Sequence, residues 1–135
     1  MPTVYLDAEF ALIGYLTPIL STVVATRVPD PRPETWVQVR RSGGTSTSVR
    51  GSSGQMLRDH PLMDVFASAA TEPDAMALAF AARSAIWDLE GTNLLGSMCY
   101  RVSEFLGPRR ADDVTQAMPV TPRVWATYEL SIRTS

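Results

Sequence analysis

From Arg123 to Arg133 apolar and polar side chains alternate without a break, and no other stretch constrains the chain so strongly. Val124, Ala126, Tyr128, Leu130 and Ile132 fall on one side, and Trp125, Thr127, Glu129, Ser131 and Arg133 on the other. A period of two is that of an extended strand, whose successive side chains point to opposite faces. Such a strand needs an apolar layer over one face only, which suits an antiparallel sheet. The sequence supplies a cover. Thr71-Glu72-Pro73-Asp74 opens a helix: Thr71 and Asp74 have capping spacing, and Pro73 is tolerated in a first turn. Leu78, Ala82, Ala85, Ile86 and Leu89 then form an apolar stripe, and Gly91 is placed to cap the end.

A second helix is predicted within residues 7–25. Asp7 can accept a free N–H of the first turn, and Phe10, Ile13, Leu16 and Leu20 recur at helical spacing. Pro18 has no N–H for the Gly14 carbonyl, so a kink or an early end is expected there. The β-branched Thr22-Val23-Val24 marks an exit toward a short strand reaching Arg27-Val28. Three prolines between Pro29 and Pro33 impose an extended connector.

Strands are expected at 35–41, 62–69 and 98–106 as well as 123–133. Thr35, Val37 and Val39 alternate with Trp36, Gln38 and Arg40; Met63, Val65 and Ala67 alternate with Leu62 and Phe66. Ser42 to Gln55 is rich in Gly, Ser and Thr and reads as a long mobile tip, with too little apolar surface to offset its ordering entropy. Gly107 to Pro122 reads as a polar connector carrying Arg109, Arg110, Asp112 and Asp113. The expectation is an α+β fold, two helices on one face of a mostly antiparallel sheet, in the order α-β-β-long loop-β-α-β-β. The 135 residues suit one domain over 1–135, with a flexible arm at about 42–58.

Composition narrows the function. The net charge is −2, which argues against a dedicated nucleic-acid binder. All 12 basic residues are arginine, as a GC-rich genome would produce. Residues 10–26 carry no charge, but Asp7 and Glu9 precede them and Gly14, Thr17, Pro18, Ser21 and Thr22 interrupt them. Neither a signal peptide nor a membrane span is expected, and the protein is taken as soluble and cytoplasmic. Cys99 is the only cysteine and is expected as a small buried hydrophobe; no internal disulfide can form.

Catalytic patterns are weak. His60 is the only histidine, within Asp59-His60-Pro61, and is expected as a turn residue at a strand entrance. A Ser–His–Asp arrangement stays open on composition, yet there is no G-x-S-x-G elbow, and Gly51-Ser52-Ser53-Gly54 lies in the arm. No phosphate-cradling glycine pattern occurs, and no cofactor or metal is expected. One feature stands out. Thr35 to Arg58 contains no acidic residue, yet holds Arg40, Arg41, Arg50 and Arg58. The bland reading is a solvated hairpin. The sharper one is a docking arm that orders against an acidic partner or a DNA backbone.

Several runs in order resemble one family. Val28-Pro29, Arg32-Pro33 and Trp36-Val37-Gln38-Val39-Arg40-Arg41-Ser42-Gly43-Gly44 are similar to a run in tail-terminator proteins of long-tailed actinobacterial phages. Pro61-Leu62-Met63-Asp64-Val65, Phe105-Leu106-Gly107-Pro108 and Pro122-Arg123-Val124-Trp125-Ala126-Thr127-Tyr128-Glu129-Leu130 resemble that family's later segments. The resemblance implies a non-enzymatic virion protein of the tail neck, assembled in the host cytoplasm. It implies a hexameric ring of this chain on the last tail-tube ring, ending tube growth and presenting a surface to the head-tail connector or stopper, with DNA passing through. The candidate ring or partner residues are Arg40, Arg41, Gly43, Gly44, Arg50, Arg58, Arg109 and Arg110. Two other readings compete: a different neck or tail component, and a small enzyme or ligand-binding α+β domain. Oligomeric state separates them, because a ring subunit needs two different complementary surfaces and an enzyme needs a convergent polar pocket.

Overall fold

The computed structural model describes residues 5–51, 54–111 and 121–134. Two helices, α1 (Ala8–Leu20) and α2 (Glu72–Trp87), cover one face of a six-stranded sheet. The strands are β1 (Val23–Ala25), β2 (Trp36–Gly51), β3 (Gly54–Ser68), β4 (Thr92–Leu94), β5 (Ser97–Arg110) and β6 (Arg123–Arg133). Their order across the sheet is β1-β2-β3-β6-β5-β4. Every pairing is antiparallel except β1 with β2, which the proline connector turns into a parallel contact. The expected α+β class and the face-on packing of both helices are therefore present.

The caps form as their residue types dictate. The Asp7 carboxylate accepts from the Phe10 N–H at 3.1 Å, and the Thr71 hydroxyl from the Asp74 N–H at 3.3 Å. Helix α1 continues two residues past Pro18 and ends with Ser21 in the left-handed region. The end of α2 differs from expectation. Its cap is Asp88, and Gly91 lies three residues on at a φ of 81°, its N–H bonded to the Cys99 carbonyl at 2.8 Å. Gly91 thus turns the chain into β4, tied to β5 by that bond, rather than closing the helix.

Both helices have alanine in their buried face. The buried residues of α1 are Ala8, Ala11, Leu12 and Leu16; those of α2 are Ala75, Ala79, Ala82, Ala85 and Ile86, with Leu89 just beyond. The buried face of each helix mixes small and large side chains, with Leu12 and Leu16 in α1 and Ile86 in α2 fully buried among the alanines. The expected α1 stripe is corrected accordingly. Phe10 is 67% exposed, Leu16 is buried, and Ile13 and Leu20 are partly buried at the margin. In α2, Leu78 is also marginal, while Ala82, Ile86 and Leu89 share one core with Val124, Tyr128 and Leu130. Each fully buried aliphatic side chain contributes about 1.5–3 kcal/mol relative to exposure.

Two segments expected as connectors are strand. Residues 42–51 and 54–61 pair in register, Thr45 with His60, Thr47 with Arg58 and Arg50 with Gln55, so the arm is a long β-hairpin and not an unpaired tip. The alternating Thr45, Thr47 and Val49 are β-branched and favour extended backbone, which outweighs the glycine and serine content. Gly107 to Arg110 likewise belongs to β5, where register shifts at Glu104/Leu106 and Leu106/Arg109 absorb Gly107-Pro108. Asp112 and Asp113 lie outside the described residues. A proline, Pro61, sits inside a strand with neighbours on both sides. It is accommodated because a bulge at Arg41/Gly43 offsets β2 beside it, and the paired positions to β6 skip from Asp59 to Leu62.

Candidate assembly surface

The sheet has two distinct faces. One carries Val37, Val39, Met63, Val65, Ala67 and the even positions of β6 against the helices. The other is free of helices, and cross-strand register places on it the odd positions of β6, the even positions of β3 and Trp36, Gln38 and Arg40 of β2. Aromatic rings and guanidinium groups stack there. Phe66 and Trp125 lie directly opposite with centroids 5.2 Å apart and planes 19° from parallel. The Arg40 and Arg123 guanidinium carbons sit 5.6 and 4.7 Å from the Phe66 centroid, and that of Arg109 sits 4.1 Å from Trp125. Further along, Arg58 covers Tyr100 at 4.4 Å. Such contacts hold long side chains in place, and Arg123 and Arg109 are held further by donating to the Ala111 and Gly107 carbonyls at 2.9 and 3.4 Å.

The predicted site residues divide between the two faces. Arg40, Arg58 and Arg109 belong to the helix-free face. Arg41 instead forms a bidentate pair with the buried Asp59, at 2.9 and 2.8 Å, and so locks the root of the arm. Arg110 pairs with Glu72 at the start of α2. Gly43 and Gly44 have φ of 148° and 120°. At Gly44 a side chain would meet the backbone of His60 and Pro61. The Arg50 backbone pairs with Gln55 near the hairpin tip. Arg101, Arg123 and Arg133 join the helix-free face without having been singled out. The alternation of β6 already set Arg133 on the side of Trp125, but the placement of Arg101 depends on the β5 bulges.

His60 is not a turn residue. It lies within β3, its Nε2 2.7 Å from the Thr47 hydroxyl and its Nδ1 2.8 Å from the Ser131 hydroxyl. The neighbouring Asp59 is engaged by Arg41 on the opposite face, so hydroxyls hold both imidazole nitrogens and no carboxylate orients the ring for general-base chemistry. Cys99 is fully buried, and that burial, opposed in part by backbone hydrogen bonds, raises its thiol pKa above the ordinary value, which disfavours a reactive thiolate. The hydroxyl of Tyr128 is driven up by burial and by Glu104. No group of three or more metal-capable side chains comes together among the described residues. No described helix is long and apolar enough to cross a membrane.

The edges of the sheet are the remaining polar surface. β1 covers β2 only at Trp36–Gln38, and β4 covers β5 only near Ser97–Cys99. Beyond those points the outer edges of β2, to Gly51, and of β5, to Arg110, have no strand partner among the described residues. One carboxylate guards each near its start: Glu9 accepts from the Arg41 N–H at 3.3 Å and Glu90 from the Val102 N–H at 3.1 Å. An edge without a strand partner is a template for another chain.

No family model matches the chain, and no curated protein matches it in sequence. Its fold is similar to that of a chain in the solved virion of a native gene transfer agent (GTA) particle, with a TM-score of 0.54 and 18% identity over 87% of this chain and 84% of that one. At this identity the likeness is one of fold: two helices on a curled, mostly antiparallel sheet.

Proposed function

We propose that this chain is a structural subunit of a phage-like particle, a tail terminator that closes a ring on the end of the tail tube. The observation that carries the reading is the pair of outer edges, of β2 beyond Gln38 and of β5 beyond Cys99, which lie on opposite sides of one sheet and have no strand partner among the described residues. They differ in sequence and lie on different flanks, so the β2 edge of one subunit can meet the β5 edge of the next. A contact between two different surfaces repeats head to tail and closes into a ring when the rotation permits. The fold shared with a chain of a GTA virion supports a role in particle assembly. The ordered motif run from Val28 to Gly44 supports the terminator among neck and tail components.

In this reading the ring has six copies, matching the repeat of the tube. The hairpin arm reaches past the body of the sheet to a neighbouring subunit or the tube, and takes its final order in the assembly. The opposite rim receives the head-tail connector, DNA passes through the hole, and the protein performs no catalysis. Mass photometry and negative-stain imaging of the purified protein, alone and mixed with tail tubes, test it. The expected result is a closed ring with one repeated contact, free or on tube ends, and tubes of fixed length. A twofold dimer as the sole species in both settings, or tubes that keep growing, overturns the proposal.

A further inference from the structure

The net charge of −2 conceals a segregation of charge. Of the chain's twelve arginines, six stand on the helix-free face of the sheet: Arg40, Arg58, Arg101, Arg109, Arg123 and Arg133. Among the described residues only two carboxylates, Asp64 and Glu129, stand there, and Asp64 is buried and accepts from the Thr127 hydroxyl at 2.7 Å. This face is basic on an acidic molecule.

Arg40, Arg101 and Arg133 are exposed on this face. Leaving Arg123 aside, none of its arginines forms an ion pair with a carboxylate among the described residues; the pairs that exist engage Arg41, Arg83 and Arg110 on the helix side. Arg58 and Arg133 lie directly opposite each other on adjacent strands, a like-charge pairing that costs stability unless an anion sits between or above them. Arg101 is one strand further on, opposite Ser131. Arg58 Nε is also buried without a hydrogen-bond partner.

We infer that the helix-free sheet face binds the phosphate backbone of double-stranded nucleic acid, without reading its sequence. The spacing agrees. Arg123 and Arg133 bound β6, and a strand rising about 3.4 Å per residue puts their backbones roughly 34 Å apart. That is about one turn of duplex, with a phosphate every ~3.4 Å along each strand. Guanidinium groups already stack on Phe66, Trp125 and Tyr100, the rings a base would otherwise use there, which favours backbone contact over single-strand stacking. A second copy of the chain fits less well. The acids of its helical side are largely committed, Glu72 to Arg110, Glu104 to Arg83, Glu9 and Glu90 to strand N–H groups. The inference goes beyond the ring reading, since it concerns phosphate binding by the isolated subunit and holds whether or not a ring closes.

The test is fluorescence anisotropy with a labelled 30-base-pair duplex of mixed sequence and the full chain in 50 mM NaCl. Saturable binding is expected, with affinity falling roughly a hundredfold by 200 mM, as four or more neutralised phosphates require. Arg101→Gln combined with Arg133→Gln, both exposed positions, lowers the log–log salt slope by about two and leaves the circular dichroism spectrum unchanged. Arg83→Gln on the helix side leaves the slope as it was. No binding by the folded protein, an equal loss with Arg83→Gln, or salt-independent binding overturns the inference. Competition by poly-glutamate as strong per charge as that by DNA also overturns it, in favour of an acidic protein partner.

Discussion

Replacing Gly44 with alanine adds one methyl group where the arm hairpin leaves no room for it. A Cβ at that position would lie 2.8 Å from the Pro61 Cα and 2.9 Å from the His60 carbonyl carbon, and closer still to the His60 oxygen. All three are backbone atoms of the paired strand and cannot rotate away. The φ of 120° adds a conformation that side chains other than glycine avoid. Backbone strain of this kind costs about 1–3 kcal/mol, and forced overpacking typically another 1–3 kcal/mol. The total is roughly 2–6 kcal/mol, out of a stability of about 5–15 kcal/mol. At roughly 3–5 °C per kcal/mol for a chain of this size, Gly44→Ala lowers the Tm by about 6–30 °C. Gly43→Ala is the control: its φ is 148°, but nothing lies within 4 Å of the added carbon, so it carries the strain alone. Thermal melts followed by circular dichroism on both variants decide the matter. A Gly44→Ala protein as stable as Gly43→Ala would refute the close approach of β2 to β3 at this point, and with it the bulged register that accommodates Pro61.

Leu89 is fully buried, so Leu89→Ala costs about 2–5 kcal/mol, read as a lower urea midpoint; an unchanged midpoint would place Leu89 outside the core. Tyr128→Phe behaves in the opposite way: its hydroxyl is buried with no hydrogen-bond partner, so removing it leaves stability equal or raises it by about 1 kcal/mol at neutral pH. Because burial raises the Tyr128 pKa above the ordinary 10.0, its contribution is intact below pH 10 and is lost as pH climbs above that value; the wild type, not Tyr128→Phe, should show this component of alkaline destabilisation. Cys99 should stay inert to a thiol reagent at pH 8 and react only on unfolding, and prompt labelling of the native protein would contradict its burial.

What the sequence determined by itself is whatever depends on near neighbours along the chain. The alternation of β6 set its inward face, and Val124 through Ile132 are all buried on alternate positions. The Asp7 and Thr71 caps follow from a side-chain oxygen three residues ahead of a free N–H. The two helices, the long strands and the α+β class rest on the same local periodicities. Other features required the assembled fold. Which face of α1 meets the core, with Ala8, Ala11, Leu12 and Leu16 buried and Phe10 left in solvent, depends on how the helix is set against the sheet and α2. The arm became a hairpin because the β-branched Thr45, Thr47 and Val49 stretch pairs in register with residues 54–61, a cooperative gain that composition does not show. His60 found Thr47 and Ser131, residues 13 and 71 positions away, only when three strands aligned. Among the predicted interface residues, Arg41 and Arg110 turned toward Asp59 and Glu72, while Arg40, Arg58 and Arg109 came to share a face with Arg101, Arg123 and Arg133. Net charge is a sum over the chain, whereas the field a partner meets depends on which side of the sheet each charge occupies, and strand register alone assigns that.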